Sequence, residues 1–252
     1  MSSTISTHMS GPKNKKLSLA SLKKELKDFA DADKAILLRR FFKTGKGEYG
    51  EGDEFIGVVV PDIRRVAKRF RDLDLVSVIK LLHSPIHEER LCALLIMVDA
   101  YEHGKPRIRE KIYRAYLGNT RYINNWDLVD LTAPQIVGRH LVEKPHTVLY
   151  RLAESKLLWD RRIAVLACFW FIRQGDCADI LALAKRLMAD RHDLMHKSLG
   201  WMLREVGKRC SEKTLTGFLD AYAADMPRTM LRYSIERLDE KTRQHYLAIR
   251  KR

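Results

Sequence analysis

"DLMHKSLGWMLREVGKRC", residues 193 to 210, reads as a helix with two unlike faces. Met195, Leu199, Met202 and Val206 fall at i, i+4, i+7 and i+11, a spacing that winds into one apolar stripe. Trp201 lies off that stripe. Lys197 stands four residues before it, Arg204 three after and Lys208 seven after, so the indole shares a face with three cations. Such an aromatic either covers a neighbouring helix or offers a stacking surface to a nucleic-acid base.

The same pattern extends in both directions. From Leu17 onward nearly every segment repeats three- and four-residue apolar spacing between short breaks of Gly, Pro, Asp or Asn. That predicts an all-α chain of roughly a dozen helices over residues 17 to 252. "FIGVVV" (55–60) is the one short strand candidate, and Pro61 ends it. Residues 1 to 16, Ser/Thr-rich and closing on lysines, read as a disordered leader. Charged residues open helices at "EERLCALLIM", "NNWDLVDLTAP", "WDRRIAVLACF", "MHKSLGWMLRE" and "PRTMLRYSIERL". Arg90 to Asp127 spans 37 residues and Arg162 to Lys197 spans 35, slightly tighter than the roughly 40 to 47 of HEAT-like or armadillo-like repeats. A helical repeat solenoid with a concave basic face is the architecture expected; an irregular helical bundle is the alternative.

Lys and Arg number 47 against 32 Asp and Glu, a net charge of +15 that suits a polyanionic partner. Nucleic acid and an anionic membrane surface both qualify. No apolar run approaches the roughly 18 residues of a membrane span, and no secretory h-region is present, so a soluble intracellular protein is expected. In "PDIRRVAKRF", Ile63, Val66, Ala67 and Phe70 make a core stripe and leave Arg64, Arg65, Lys68 and Arg69 outside. Arg107, Arg109, Lys111 and Arg114 repeat the arrangement, as do Arg228 and Arg232. Each run alone is an ordinary solvated helix face, but successive faces of one solenoid sum to a positive groove for a duplex.

"YINNWDLVDLTAP" (122–134) places carboxylates inside that basic field. Asn125 reads as the cap of a helix, and capping and the helix dipole account for Asp127. Asp130 lies one turn further in, four residues after Trp126, and projects from the same side. Pro134 has no N–H for the Asp130 carbonyl, so the helix is expected to loosen there. A carboxylate among phosphate-binding cations is useful where positive charge develops, as it does on a sugar losing its base. The indole beside it suits a cationic purine. The structural alternative is an ion pair between Asp130 and Arg162 of the neighbouring repeat, and the two are compatible.

"NNWDLVDLTAP", "WDRRIAVL" and "LGWMLREVGKR", in this order, resemble the AlkD-like DNA alkylation repair family. "TGKGEYGEGDEFIGVVVPDIRR" and "MPRTMLRYSIERL" resemble its N- and C-terminal signatures, so the likeness covers nearly all of residues 20 to 245. The resemblance implies a HEAT-like repeat DNA glycosylase that excises 3-methyladenine and 7-methylguanine from duplex DNA in base excision repair. By position it makes Asp130 the catalytic carboxylate, Trp126 and Trp201 the contacts to the damaged nucleotide, and Arg162 the phosphate clamp. Lys197, Arg204, Lys208, Arg64, Lys68, Arg228 and Arg232 are the expected DNA-binding residues. The expected partner is double-stranded DNA carrying alkylated purines; a cytoplasmic, nucleoid-associated monomer without membrane contact is implied.

No cofactor and no metal are expected. Cys92, Cys168, Cys177 and Cys210 form no CxxC pair and read as buried thiols, and His192 and His196 lack a third ligand. "GKGEYGEGD" (45–53) lacks the P-loop order and reads as a connector. Two other functions stay open on the residues alone: a catalytically inactive solenoid binding bent or branched DNA, and a protein-binding scaffold.

Overall fold

A computed structural model describes residues 17–249, so the leader expected at 1–16 lies outside the described residues. Fourteen α-helices follow one another within that span: α1 (Leu19–Asp28), α2 (Ala32–Phe41), α3 (Val60–Arg69), α4 (Leu75–Leu82), α5 (His87–His103), α6 (Pro106–Leu117) and α7 (Trp126–Ala133) form the first half. The second half holds α8 (Thr147–Ala153), α9 (Leu158–Ile172), α10 (Ala178–Arg186), α11 (Asp193–Arg209), α12 (Glu212–Tyr222), α13 (Arg228–Ile235) and α14 (Glu240–Ala248). The starts follow local chemistry. Ser18, Asp31, Asp74, Asn125, Ser211 and Asp239 each accept a backbone N–H of the helix they precede, and α3 and α6 open on proline.

The five charged segments predicted from the sequence are α5, α7, α9, α11 and α13. They pack in series, each on the next, while α4, α6, α8, α10 and α12 flank them, which is the order of a helical repeat solenoid. Met195, Leu199, Met202 and Val206 on α11 are wholly buried, as the stripe predicts. Small residues let the series close up. A Cβ at Gly200 would stand 2.5 Å from the Met230 carbonyl of α13, and one at Gly138 would stand 2.3 Å from the Ala167 carbonyl of α9. Both glycines therefore mark backbone contacts that a side chain would wedge apart.

"FIGVVV" is not a strand. The isolated parallel bridge beside it, Glu54 to Ile86, precedes it, the Ile56 carbonyl accepts from the Asp31 amide at 2.9 Å, and Val60 already begins α3. The amides of Ile56, Gly57 and Val58 are satisfied by the buried Glu88 carboxylate at 2.8–3.3 Å, a side chain standing in for a partner strand. At Pro134 the chain loosens as expected: α7 ends at Ala133 and Pro134–Gly138 forms a π-helical turn. A continuous core runs from Leu22 to Tyr246, and a small separate one, Ala35, Phe42 and Phe55, sits under α2 and reaches Trp126. Cys92 and Cys168 are buried; Cys177 and Cys210 are half-exposed, which corrects the expectation for those two.

Candidate functional site

Three successive helices meet at one arginine. Arg162 of α9 donates from Nε to Asp130 Oδ1 and from Nη2 to Asp130 Oδ2, both at 2.8 Å, and from Nη1 to the Leu194 carbonyl of α11 at 2.6 Å. Its side chain is 5 % exposed, and that of Asp130 is 15 % exposed. A bidentate fork fixes the plane of the carboxylate as well as its place. Burial pushes the Asp130 carboxyl above its ordinary value and Asp127 adds repulsion, while the Arg162 guanidinium limits the rise. The geometry thus joins the two roles that the sequence kept apart. The expected phosphate clamp has every guanidinium nitrogen engaged inside the protein, and it acts on Asp130 itself.

Trp126 opens α7. Asn125 caps the helix through Oδ1 to the Trp126 amide at 2.8 Å. The half-buried indole stacks on Phe42 with centroids 5.1 Å apart and planes 20° apart, and meets Phe41 edge-on at 5.7 Å. Phe42 in turn stacks on Phe55, and Phe55 on His87, at 5.1 and 4.6 Å. A column of four rings therefore ties Trp126 to the start of α5.

Beside the column runs a buried polar chain. His87 Nε2 lies 2.8 Å from Asp127 Oδ2 and its Nδ1 lies 3.4 Å from Asp53, which also pairs with Arg90 at 2.7 Å and accepts from Asn124 and Asn125. Burial opposes a charge on His87, yet the carboxylates of Asp127 and Asp53 outweigh it and raise the imidazole above its ordinary value. For Asp53 burial works upward, and His87, Arg90 and Asn124 together bring it down. Asp127 is therefore more than a dipole-compensating surface residue: it is 8 % exposed and anchors the N-terminus of α7 to α5.

Tyr49 joins the site from the glycine-rich connector. Its ring meets Trp159 and His192 edge-on at 6.2 and 6.5 Å. Burial raises its phenol, while the Trp126 indole and the Lys197 ammonium act to lower it. Asp53, His87 and Phe42 had no readable signal either, because their partners lie tens of residues away with no shared period. Trp201, also half-buried, faces Phe169 at 5.9 Å, and Arg209 covers the same Phe169 ring at 5.3 Å.

The expected DNA-binding residues divide. Arg64, Lys68, Lys208 and Arg232 are exposed and form no ion pair among the described residues. Lys197 forms an exposed pair with Asp193 at 2.7 Å, weak enough to exchange for a phosphate. Arg204 is held by Glu236, and Arg228 donates to the carbonyls of Leu247 and Ile249 at 2.8 and 3.2 Å, closing the end of α14. These two are structural ties rather than free cations. His196, too, turns inward, to the Asp190 carbonyl at 2.5 Å.

Comparison with known proteins bears on the fold and the family. No curated protein matches the chain. Among solved structures, the fold is similar to that of a "Predicted DNA alkylation repair enzyme from Enterococcus faecalis", with a TM-score of 0.67 and 15 % identity over 84 % of this chain and 97 % of that one. At that identity the likeness speaks for the fold. The family model described as DNA alkylation repair enzyme matches residues 22–238, from α1 to the end of α13, and the chain belongs to that family.

Proposed function

We propose that this protein is a monofunctional DNA glycosylase that releases cationic alkylated purines, 3-methyladenine and 7-methylguanine, from duplex DNA. The observation that carries the reading is the Asp130 carboxylate, held bidentately by Arg162, partly open, and one turn from the Trp126 indole. The glycosidic bond breaks with its electron pair leaving on the base, which neutralises the purine and leaves an oxocarbenium-like sugar. Asp130 stabilises that cation more than the neutral ground-state sugar. Water then adds at the anomeric carbon and loses a proton, giving an abasic site.

Arg162 keeps the carboxylate aimed and limits the rise that burial imposes, favouring the ionised form. Trp126 and Trp201 offer aromatic surfaces to the damaged nucleotide, and Lys197, Arg64, Lys68, Lys208 and Arg232 supply cations for the backbone. A monomer acting in the cytoplasm on nucleoid DNA fits the reading; among the described residues no helix is long and apolar enough to cross a membrane.

The decisive experiment is release of free 7-methylguanine from methylated duplex by wild-type protein and by Asp130→Asn. The variant is expected to lose roughly two to three orders of magnitude in rate, as for removal of one preorganised electrostatic partner, with duplex affinity close to wild type. Equal rates would remove Asp130 from the chemistry. If neither protein releases base while both bind duplex, the chain is a DNA-binding solenoid without glycosylase activity.

A further inference from the structure

Trp170, near the C-terminal end of α9, carries two guanidiniums on one ring. Arg139 lies 5.4 Å from the ring centroid and Arg173 lies 5.5 Å from it. Arg139 follows the π-helical turn and Arg173 caps α9, so a single indole joins the ends of two successive repeats. Gly138 permits the approach, since a Cβ there would stand 2.7 Å from that of Trp170. Stacking on an aromatic face orders a guanidinium without neutralising it.

Neither arginine has a carboxylate partner among the described residues, whereas Arg161, Arg162, Arg186 and Arg204 all do. Trp170 and Arg139 line a cavity of about 660 Å³ together with Arg109, Lys144 and Glu143, the last being the single carboxylate of its lining. Arg109 is committed to the carbonyls of Tyr101 and Glu102, both at 3.1 Å, and Lys144 shares Glu110 with His140. The uncommitted charge of this region therefore belongs to Arg139 and Arg173.

Their placement relative to Arg162 favours one class of anion. Arg173 follows Arg162 by eleven residues on and just beyond α9. At 3.6 residues per turn the two positions point within about 20° of each other and stand about 16 Å apart along the axis. A duplex laid along that side of α9 with its damaged nucleotide at Asp130, the carboxylate that the inward-turned Arg162 holds, presents a backbone phosphate near Arg173. A short acidic peptide held at the cavity has no reason to follow the side that Arg162 marks.

We propose that Arg139, Trp170 and Arg173 form a second phosphate-gripping subsite, which holds a phosphodiester of the same duplex whose damaged nucleotide lies at Asp130. This subsite rests on the DNA reading given above. It adds two cations that neither the sequence pattern nor family membership singles out.

The test is titration of the full chain against a fluorescein-labelled undamaged duplex at several salt concentrations, for wild type and the Arg139→Gln/Arg173→Gln double variant. Glutamine keeps a planar amide near the indole, and thermal melting checks that the fold survives. The slope of log K against log salt is expected to shallow by about one unit, the share of one phosphate contact. A wild-type slope in the double variant overturns the subsite while leaving duplex binding and the glycosylase reading intact. Absence of salt-dependent duplex binding in the wild type overturns both. Unchanged duplex slope with lost binding of a labelled hexaglutamate peptide overturns the subsite in favour of an acidic protein partner. Should the glutamine pair melt early, the single Arg173→Gln variant at the exposed end of α9 is used instead: a slope shallower than wild type supports the subsite, and a wild-type slope overturns it.

Discussion

Asp130 is half-buried and His87 buried, and their neighbours push them to opposite consequences. Because burial raises the Asp130 carboxyl above an ordinary aspartate value of 3.8, base release is expected to fall with decreasing pH already above that value. Single-turnover excision from pH 4 to 8, corrected for spontaneous depurination, measures it; a limb centred at or below 3.8 excludes Asp130 as the ionised group. His87 governs stability rather than rate. Its folded value exceeds its unfolded value of 6.5, so its favourable contribution is complete below 6.5 and fades as pH rises through the folded value. Thermal midpoints should therefore decline as pH rises through that folded value, and His87→Gln should flatten that part of the profile. Parallel profiles would mean that the carboxylates of Asp53 and Asp127 do not hold a charged imidazole. The Asp130–Arg162 pair was legible, because a carboxylate off the core stripe and an arginine of the next repeat offered each other a partner. His87 was not, since a histidine at a helix start has no period to reveal partners 34 and 40 residues away.

Helices were the easiest part of this chain to read, for a physical reason. Each carries an apolar stripe at 3.6-residue spacing, and the stripe on α11 is buried residue for residue. The proline at 134 also announced its own effect, because a missing N–H must relax the turn before it. "FIGVVV" misled because β-branched residues in a row suit an extended chain whether a strand or a carboxylate satisfies the amides, and only Glu88, some thirty residues on, decides which. Contacts between helices were similarly hidden. Gly138→Ala and Gly200→Ala are each expected to cost about 1–3 kcal/mol, because the added methyl meets backbone that cannot rotate away. A cost of that size lowers the melting temperature by roughly 2–4 °C per kcal/mol in a chain of this length. Gly217, with nothing within 4 Å of its Cβ position, supplies the control and should tolerate alanine without loss.

At the scale of the whole molecule the surplus of fifteen positive charges is unevenly available. The sequence revealed the sum and could not reveal which cations were already paired, since Arg204 and Arg228 look no different in a helical wheel from Lys208 and Arg232. Removing Lys208 or Arg232 is expected to shallow the salt dependence of duplex binding by about one unit each, whereas Arg228→Ala should lower the melting temperature and leave the slope unchanged. Anisotropy titrations across salt distinguish the two groups, and equal effects from all three would put Arg228 back among the DNA contacts. One tie spans three members of the series at once. In a chain of stacked repeats each unit touches only its neighbours, so long fragments commonly keep the properties of the parts they contain. Arg162 engages both neighbours of its helix together, α7 through Asp130 and α11 through the Leu194 carbonyl. A fragment ending before residue 194 would retain Asp130 and Trp126 yet lack the acceptor that steadies the arginine behind them. Gene fission or limited proteolysis upstream of α11 should consequently abolish the proposed base release even where the amino-terminal half remains folded.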